Sequence, residues 1–524
     1  MSYDYIIVGA GSAGCILANR LSASGTHQVL LLEAGGSDKK QEVRIPAAFS
    51  KLFQSEVDWN YETEAQTHAA GRKMFWPRGK MIGGCSSMNA MIYQRGNPAD
   101  YRRWQEAGNE EWGWDDVLPY FIKSQNQERG GSEFHGTGGG LNVADVRSPN
   151  PLSLAFVEAT KQAKLPTNDD FNDGQQEGFG MYQVTQSKGA RHSAAFGFLK
   201  PAMKRTNLTT KTGAQVTRAL FDGKTCTGVA YVQDGKSAEI KLNPSGEVIF
   251  SGGAINSPQL LMLSGIGDAA HLQEMGITPV VDLPGVGQNL QDHLAIAVAW
   301  HCKQKVSLAH AESVPSLLNY LIRGRGPLTS NVGEAGGFIK IEDDAHAPDL
   351  QFHFAPVFFL RHGLDSPQTD GFTIAPTLVD FKSRGYIKLK SADPLAYPEI
   401  QPNYLQDEGD VKVLVEGVKL ARKIGNQPAF QAFRGDEHLP GGTTQSDAEI
   451  EQFVREKSET LYHPVGTCKM GVDPLAVVSP ELKVHGVSGL RVIDASVMPT
   501  IVNANTNAPT MMIAEKGADM ILNG

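Results

Sequence analysis

The residues that most directly predict a chemistry lie in the N-terminal segment Gly9-Ala10-Gly11-Ser12-Ala13-Gly14. Glycines at this spacing allow a tight turn and bring backbone N–H groups close to a phosphate at the positive end of the following helix. Farther along, Glu33 supplies a carboxylate that can accept hydrogen bonds from ribose hydroxyls. The pattern therefore predicts a dinucleotide site, with its pyrophosphate at the glycine turn and a ribose at Glu33.

The elements around this turn are those that a dinucleotide-binding unit needs. Tyr5 to Val8 is an apolar, strand-like run, Cys15 to Ala23 is helix-like, and Gln28 to Leu32 is a second strand that ends at Glu33. A bare glycine pattern also occurs in plain strand-to-helix turns, but here every expected element is present. Because such turns serve NAD and FAD equally, the motif alone leaves the cofactor open.

Length and composition narrow the class of protein. A chain of 524 residues indicates two or three domains. With 48 Lys and Arg against 57 Asp and Glu, the net charge of −9 argues against nucleic-acid binding. The five scattered cysteines form no CxxC pair and have no histidines at metal spacing, so we predict neither a disulfide framework nor a metal site. No stretch resembles a signal peptide or a membrane span, which predicts a cytoplasmic protein.

The later segments predict two domains with interleaved chain. Strand-like alternation between residues 208 and 250 leads into a second glycine turn, Gly252-Gly253-Ala254, and an apolar helix. Residues 296 to 454 alternate strands such as Leu350 to Phe354 with helices such as Val411 to Ile424. Residues 34 to 150 show no clear periodicity, and we expect long loops there.

This organisation predicts an α/β, Rossmann-like cofactor domain that is discontinuous, together with an α+β substrate domain whose sheet is mostly antiparallel. We assign 1–150, 190–295 and 455–524 to the cofactor domain, and 151–189 and 296–454 to the substrate domain.

Beyond the N-terminal turn, six further blocks follow one another: Gly79 to Asn89, Gly253 to Pro258, Val286 to His293, Tyr462 to Thr467, Asp494 to Ser496, and Asn505 to Asn507. Together they resemble the signatures of the glucose-methanol-choline (GMC) flavoprotein oxidoreductases, from Tyr5 to the C-terminus. The resemblance implies that the dinucleotide is FAD, held in an elongated form with its isoalloxazine ring at the domain boundary.

The resemblance also implies roles for individual residues around FAD. Ser12 would join Gly9, Gly11 and Gly14 at the pyrophosphate, and Val216 would contact the adenine through its backbone. The other implied cofactor contacts are Ala34 and Gly84, then Met88, Asn89, Ala90 and Met91 along the flavin, Asp494 and Ala495 near the ribityl chain, and Asn507 near the pyrimidine edge.

Met88 bears on how the cofactor is attached. At this place some family members carry a histidine that is covalently bonded to the flavin, and a thioether cannot form that bond. We therefore predict non-covalent FAD. The neighbouring Cys85 is compatible with a reactive thiol, but a small buried residue beside the flavin is favoured.

The chemistry implied is oxidation of an alcohol, which requires a group that accepts the hydroxyl proton and a donor that holds the oxygen. His463 matches the family's catalytic histidine and Asn505 its second catalytic position. For His293 a structural hydrogen bond at a turn is favoured. His353, on an alternating strand, is compatible with a substrate contact or with a buried structural role.

The substrate class is less sharply indicated. Glu334 matches a glutamate that helps choline oxidase to hold a trimethylammonium group, but Val332 and Gly333 stand where that enzyme has aromatic residues. Leu328 to Val332 and Gln351 to Phe354 resemble blocks of the NAD-independent alkanol dehydrogenases of alkane-degrading bacteria, which also keep the glutamate. We therefore predict a primary aliphatic or aryl alcohol, with choline as the alternative.

The resemblance to the alkanol dehydrogenases implies that electrons pass to a quinone of the respiratory chain or to dioxygen, and no residue decides between these acceptors. Pro315 to Ile322 is apolar and is followed by Arg323 and Arg325, and Phe358 to Arg361 is a second apolar stretch with a basic end. Both are compatible with peripheral contact at the inner face of the membrane or with covering the mouth of the active site, although ordinary packing is favoured.

Other functions stay open because a fold does not dictate a reaction. The same fold hosts hydroxynitrile lyases and a fatty-acid photodecarboxylase. A flavoprotein that uses FAD only as a structural element is a third hypothesis.

Overall fold

The computed structural model describes residues 2–342, 345–367 and 369–524. Its α-helices, in chain order, are α1 Ser12–Leu21, α2 Gln41–Arg44, α3 Pro98–Glu106, α4 Trp114–Ser124, α5 Pro151–Gln162, α6 Lys200–Ala202, α7 Gly253–Leu263, α8 Ala269–Glu274, α9 Val314–Arg323, α10 Glu408–Gly425, α11 Asp447–Lys457 and α12 Asn507–Asn523.

The strands, also in chain order, are β1 Tyr3–Val8, β2 Val29–Leu32, β3 Tyr61–Glu62, β4 Phe75–Trp76, β5 Gln125–Gln127, β6 Leu141–Asp145, β7 Gly178–Met181, β8 Gln183–Val184, β9 Gln186–Ser187, β10 Ala190–Arg191, β11 Leu208–Lys211, β12 Ala214–Asp222, β13 Thr225–Gln233, β14 Lys236–Phe250, β15 Ile266–Gly267, β16 Val281–Asp282, β17 Leu294–Ala295, β18 Val298–Cys302, β19 Ala335–Ile339, β20 Leu350–Ala355, β21 Gly371–Leu378, β22 Tyr386–Lys388, β23 Glu399–Gln401, β24 Arg434–Leu439, β25 Glu459–Thr460 and β26 Leu490–Val492.

The first large sheet carries the glycine turn. Its strand order is β11-β2-β1-β14-β13-β12, with β26 beside β14. The strands β11, β2, β1, β14 and β26 pair in parallel, whereas β12 to β14 form an antiparallel meander. All four residues of β2 are buried, as expected for a parallel strand covered on both faces. This sheet confirms the predicted α/β cofactor domain.

The second large sheet is antiparallel, with the order β24-β18-β21-β20-β19-β7. The short strands β17 and β25 pair with each other, and β17 also pairs with β21. This sheet confirms the predicted α+β substrate domain. The domain boundaries themselves remain our proposal. By those boundaries β17 and β25 belong to the cofactor domain, although they pair with the sheet of the substrate domain.

Strand β20 shows how this sheet separates a packed face from a polar one. Leu350, Phe352 and Phe354 alternate with Gln351 and His353, so the two sets lie on opposite faces. Phe354 stacks on Phe156 of α5 with 4.8 Å between ring centroids, and α10 also packs against the sheet. The apolar set is therefore covered by helices, which directs Gln351 and His353 toward the other domain.

Residues 34–150 contain more regular structure than we expected, so the prediction of loops was wrong for α3 and α4. Helix α3 begins with a capping box, in which the Asn97 side chain accepts from Ala99 N and the Asp100 carboxylate accepts from Asn97 N. Tyr101 and Trp104 then bury their rings against neighbouring aromatic side chains. Each of these short helices buries only a few residues, so the sequence shows no clear helical period there.

The C-terminal segment returns to the first domain. Strand β26 joins β14 in parallel, and α12 packs against α1. Arg20 of α1 donates to both carboxylate oxygens of the buried Glu515 on α12, at 2.6 and 2.8 Å. No helix in the described ranges is long and apolar enough to cross a bilayer.

Candidate active site

A long cavity runs between the two large sheets. It is lined at one end by the first glycine turn and Glu33, and at the other by His463, Asn505 and His353. The predicted site residues that line it are Gly9, Gly11, Ser12, Glu33, Ala34, Gly84, Met88, Asn89, Ala90, Met91, Val216, His353, His463, Asp494, Ala495, Asn505 and Asn507. The fold thus collects residues from both ends of the chain into one space.

The first glycine turn packs α1 directly against β1. Gly9 has φ +101°, and a Cβ at Gly14 would lie 1.8 Å from the carbonyl oxygen of Gly9. By contrast, a Cβ at Gly11 would meet nothing within 4 Å. No side chain caps the N-terminus of α1, whose first N–H groups therefore face the cavity without a capping partner among the described residues. These features suit an anionic group placed over Gly11.

Glu33 is held in place from both sides of the turn. Its carboxylate oxygens accept from Ala10 N at 2.7 Å and Gly35 N at 2.8 Å. Burial raises its pKa to about 6, although both hydrogen bonds oppose the shift. Each oxygen keeps a free lone pair toward the cavity, so ribose hydroxyls could bind here.

Ser12 and Asn507 come from opposite ends of the chain and meet at this turn, where Ser12 Oγ donates to Asn507 Oδ1 at 2.7 Å. Asp494 connects the C-terminal segment to the second glycine turn. Its Oδ2 accepts from Gly253 N and Ser257 Oγ, while its Oδ1 accepts from the backbone and hydroxyl of Ser496. Ala495 follows it at the cavity wall.

The segment from Gly84 to Met91 crosses the middle of the cavity. A Cβ at Gly84 would lie 2.7 Å from the Cα of Gly11, so this loop rests on the first glycine turn. Asn89 Oδ1 accepts from Met91 N and from the buried guanidinium of Arg191. Met88 is buried, and Ala90 O accepts from an asparagine amide of the substrate domain. The loop is thereby fixed from both domains.

The cavity fits FAD. At the glycine end it offers an uncapped helix N-terminus, an open position over Gly11 and a carboxylate with spare acceptor capacity. The buried hydroxyl of Ser251 also lines the cavity and has no hydrogen-bond partner in the part of the chain that the structure describes. Val216, which belongs to the edge strand β12, also lines the cavity. These residues would hold the nucleotide half, and the segment from Met88 to Met91 would border the flavin.

At the other end, the structure brings His463 and Asn505 together. Asn505 Nδ2 lies 3.3 Å from His463 Nε2. Burial holds the pKa of His463 well below its usual range, and the nearby His293, His353 and Arg78 lower it further. The imidazole is therefore neutral near pH 7 and has a nitrogen available to accept a proton.

His293 is the residue that sequence reasoning underestimated. Its Nδ1 lies 2.9 Å from Nδ1 of His463, so its structural hydrogen bond is made to the candidate base itself. Burial lowers the pKa of His293 to about 3. The preceding Asp292 accepts from the backbone N–H of His463 at 2.6 Å. In the sequence, the one indication of this arrangement is that Asp292 and His293 lie in the same family block, Val286 to His293.

The backbone leading into His463 is strained. Tyr462 has φ +71°, which is uncommon for a bulky residue. Its carbonyl accepts from Arg78 Nη2 at 2.6 Å, and its hydroxyl lies 2.8 Å from His362 Nδ1. These contacts hold the strained residue, and with it the direction of the histidine that follows.

Of the two predicted substrate residues, one lies at the cavity. His353 lines it, with Nδ1 3.1 Å from Thr377 Oγ1 and Nε2 without a partner in the described ranges. Glu334 is fully buried away from it, and its carboxylate accepts from Asn150 N, Ser153 Oγ and Ser330 Oγ. We correct the substrate role of Glu334 to a structural one, in which it holds the start of α5.

A dinucleotide-binding domain with a cavity that fits FAD is typical of a flavoprotein. The GMC oxidoreductase family models match residues 3–295 for the N-terminal part and 382–514 for the C-terminal part. The chain therefore belongs to the GMC oxidoreductase family, and FAD is its cofactor.

Known relatives cover nearly the whole chain. It is 47% identical over 527 residues to an alcohol dehydrogenase [acceptor] of Pseudomonas putida, covering 99% of this chain and 96% of the relative. It is 46% identical to the mitochondrial choline dehydrogenase of Homo sapiens, covering 99% and 89%. The crystal structure of pyridoxine 4-oxidase from Mesorbium loti superposes with a TM-score of 0.91 at 32% identity, covering 99% of both chains.

The open position over Gly11 generates a test of cofactor placement. Gly11→Val should fold normally, because a Cβ at this position meets no atom within 4 Å, yet its side chain should occupy the place of the pyrophosphate. We expect the purified variant to have the circular dichroism of the wild type and almost no flavin absorbance. Gly138→Val is the matched control, since Gly138 also faces open space but lies outside the cavity, and it should keep its FAD. Full flavin occupancy in Gly11→Val would mean that the pyrophosphate lies elsewhere.

Proposed function

We propose that the protein oxidises a primary aliphatic or aryl alcohol to the aldehyde. His463 accepts the hydroxyl proton at Nε2, and Asn505 Nδ2 donates a hydrogen bond to the substrate oxygen. FAD, when bound, supplies the ring atom N5 that takes the hydride from the carbinol carbon. The observation that carries this proposal is the 3.3 Å approach of His463 Nε2 and Asn505 Nδ2 within a cavity that fits FAD.

The protein environment suits proton transfer to His463. A base that must take a proton from an alcohol has to be neutral beforehand, and burial keeps His463 in that form. Because His463 and Asn505 lie inside the cavity and are only partly exposed, the hydrogen bond from Asn505 stabilises developing charge on the substrate oxygen more than it would in bulk solvent. We propose that His353, whose Nε2 lacks a partner among the described residues, adds a further contact to the substrate.

The cavity supports an uncharged alcohol as the substrate. Near Met88 and His463 its wall includes Phe49, Val332 and Phe359. Among the described residues, the carboxylates that line the cavity are Glu33 and Asp494, and both already accept hydrogen bonds from the protein. Glu334 lies outside it, so a quaternary ammonium group would have no uncommitted carboxylate there. Choline remains the second candidate because of the similarity to choline dehydrogenase.

We also propose that FAD is non-covalent, since Met88 stands where a histidine could form the bond.

We propose that the second apolar stretch, Phe358 to Arg361, forms part of the wall of the active site and does not contact lipid. Phe358 and Leu360 are buried, and the half-buried Phe359 lines the cavity.

For the acceptor we propose a membrane quinone, reached by peripheral docking through α9. This ten-residue helix packs through its partly buried polar face, Ser316, Asn319 and Tyr320. Its apolar residues point outward, and the exposed set is Val314 (71%), Leu317 (41%), Leu318 (52%), Leu321 (67%) and Ile322 (77%). An amphipathic helix with its apolar side in solvent has the pattern of an interfacial membrane helix.

Charge next to α9 favours an anionic lipid surface. Arg323 and Arg325 are exposed at the C-terminal end of the helix. Arg325 lines a cleft in which the cations Arg129, Arg147 and Lys188 outnumber the anions Glu128 and Asp145. These cations stand out on a chain with a net charge of −9. Tyr320 packs into the apolar cluster that contains Met88, so docking through α9 would place the cavity wall near the lipid.

Substrate-dependent bleaching tests the reaction. Under anaerobic conditions a medium-chain primary alcohol should reduce the flavin and remove the visible absorbance of its oxidised form, whereas choline should not. Readmitted air restores the colour only if dioxygen serves as acceptor, and a quinone analogue should restore it faster. Bleaching by choline alone would replace our first choice by the second. No bleaching by any alcohol would favour non-redox chemistry or a structural flavin.

Removing the proposed base tests the mechanism. His463→Ala should keep FAD and fold while flavin reduction slows by roughly 10² to 10⁴, the range expected for a general acid–base group. Stopped-flow absorbance measures the rate. His68→Ala is the control, because His68 is exposed and lies outside the cavity, and it should leave the rate unchanged. A wild-type rate in His463→Ala would exclude this residue from proton transfer.

Vesicle binding tests the role of α9. The wild type should co-sediment with phosphatidylglycerol vesicles and less with phosphatidylcholine, while Leu321→Glu/Ile322→Glu should stay in the supernatant. The control Leu154→Glu/Leu395→Glu changes two leucines that are similarly exposed elsewhere, and it should bind as the wild type does. The proposal would be overturned if the wild type failed to bind vesicles, or if cross-linking showed that α9 is buried in a dimer interface.

A further inference from the structure

A buried glutamine connects the proposed catalytic pair to the antiparallel sheet. Gln351 is fully buried on β20, on the same face as His353, but it does not line the cavity. Its Nε2 lies 3.0 Å from Oδ1 of Asn505 and 3.3 Å from the hydroxyl of Tyr182. Burying an amide side chain costs free energy unless the amide makes hydrogen bonds in the folded protein. We therefore ask which groups the hydrogen bonds of Gln351 hold in place.

The direction of these hydrogen bonds is determined by a backbone group. The Tyr182 hydroxyl lies 2.6 Å from the carbonyl oxygen of Phe352, which can only accept, so Tyr182 must donate to it. The hydroxyl oxygen then accepts from Gln351, which requires the amide nitrogen of Gln351 on that side. The same NH₂ group donates its second hydrogen to Asn505 Oδ1.

This order sets the orientation of Asn505 and the tautomer of His463. With Oδ1 bound to Gln351, the NH₂ group of Asn505 faces His463 Nε2. Nε2 must then accept, so the imidazole proton resides on Nδ1, which donates to Nδ1 of His293 at 2.9 Å. His463 therefore presents an unprotonated Nε2 to the cavity.

We propose that Gln351 is a positioning residue that keeps the Asn505 amide in this orientation and thereby keeps His463 Nε2 unprotonated, so that Nε2 can accept a proton once a substrate hydroxyl replaces the Asn505 N–H as its partner. With the amide reversed, Oδ1 would face Nε2 and would favour a proton there. A substrate hydroxyl would then meet a protonated Nε2 and an amide oxygen, so it would find no base to take its proton. The inference rests on the roles proposed above for His463 and Asn505.

A double-mutant cycle tests whether Gln351 acts through Asn505. Gln351→Leu should keep FAD and slow flavin reduction by roughly tenfold or more, because the amide is then free to reverse. In the Asn505→Ala background the same substitution should have no further effect on the rate. Phe352→Leu is the control, since its ring packs on the opposite face of the strand at 5.5 Å from Phe179, and it should lower Tm without slowing reduction.

The outcomes separate this inference from the proposed function. If Asn505→Ala alone leaves the rate unchanged, the role proposed for Asn505 fails. If Asn505→Ala slows reduction but Gln351→Leu does not, or if the two effects simply multiply, the positioning role of Gln351 is overturned while the proposed function stands.

The pH profile of flavin reduction tests the orientation itself. When ionised, the carboxylate of Gln351→Glu offers only acceptors, so it should turn the NH₂ group of Asn505 away from His463 and bring Oδ1 toward Nε2. Protonation of Nε2 is then favoured by the reversed amide and by the new negative charge, and the acidic limb of the profile should move to higher pH than in the wild type. In the Asn505→Ala background only the effect of the charge remains, so the same substitution should produce a smaller shift. The other polar groups around His463, namely His293, His353, Arg78 and Asp292, are the same in every variant. A shift of equal size with and without the Asn505 side chain would overturn the orientation argument.

Discussion

The approach of α1 to β1 is the constraint on which the rest of the structure depends. Because a side chain at Gly14 would collide with the Gly9 carbonyl, only glycine lets the helix start directly against the sheet. The uncapped end of the helix then faces open space above Gly11. The loop at Gly84 and the C-terminal Asn507 both pack onto this turn, so the nucleotide half of the cavity is assembled around it.

The catalytic half depends on burial of neutral polar groups. His463 and His293 share one hydrogen bond and lose their charge because solvent is excluded. These groups are neutral, so no charge sets the direction of the hydrogen bonds between them. The direction has to be set by a group that can only accept or only donate. The backbone carbonyl of Phe352 fills that role through Tyr182. Chemistry at one end of the cavity thus rests on hydrogen bonds within the sheet that forms its wall.

Sequence reasoning succeeded where a residue's role depends on its immediate neighbours in the chain. The glycine turn, the strand that ends at Glu33 and helix α10 were all readable from local pattern, and the structure has them within a few residues. It failed for α3 and α4, whose sparse buried positions gave no period. It also gave no sign that the Glu334 carboxylate accepts from three hydrogen-bond donors, because the identity of a residue does not show which way its side chain faces.

By itself the sequence determined the cofactor class and the two kinds of sheet, because glycine spacing and alternation act over a few residues. The candidate base His463 followed from the resemblance of its block to the family's signature. Only the tertiary structure decided which groups touch that base. Asn505, His293 and Gln351 are far from His463 in the chain, and their hydrogen bonds exist only after two sheets have closed on each other. Directional contacts of a few ångströms between distant segments leave no local pattern, and for that reason the folded chain alone reveals them.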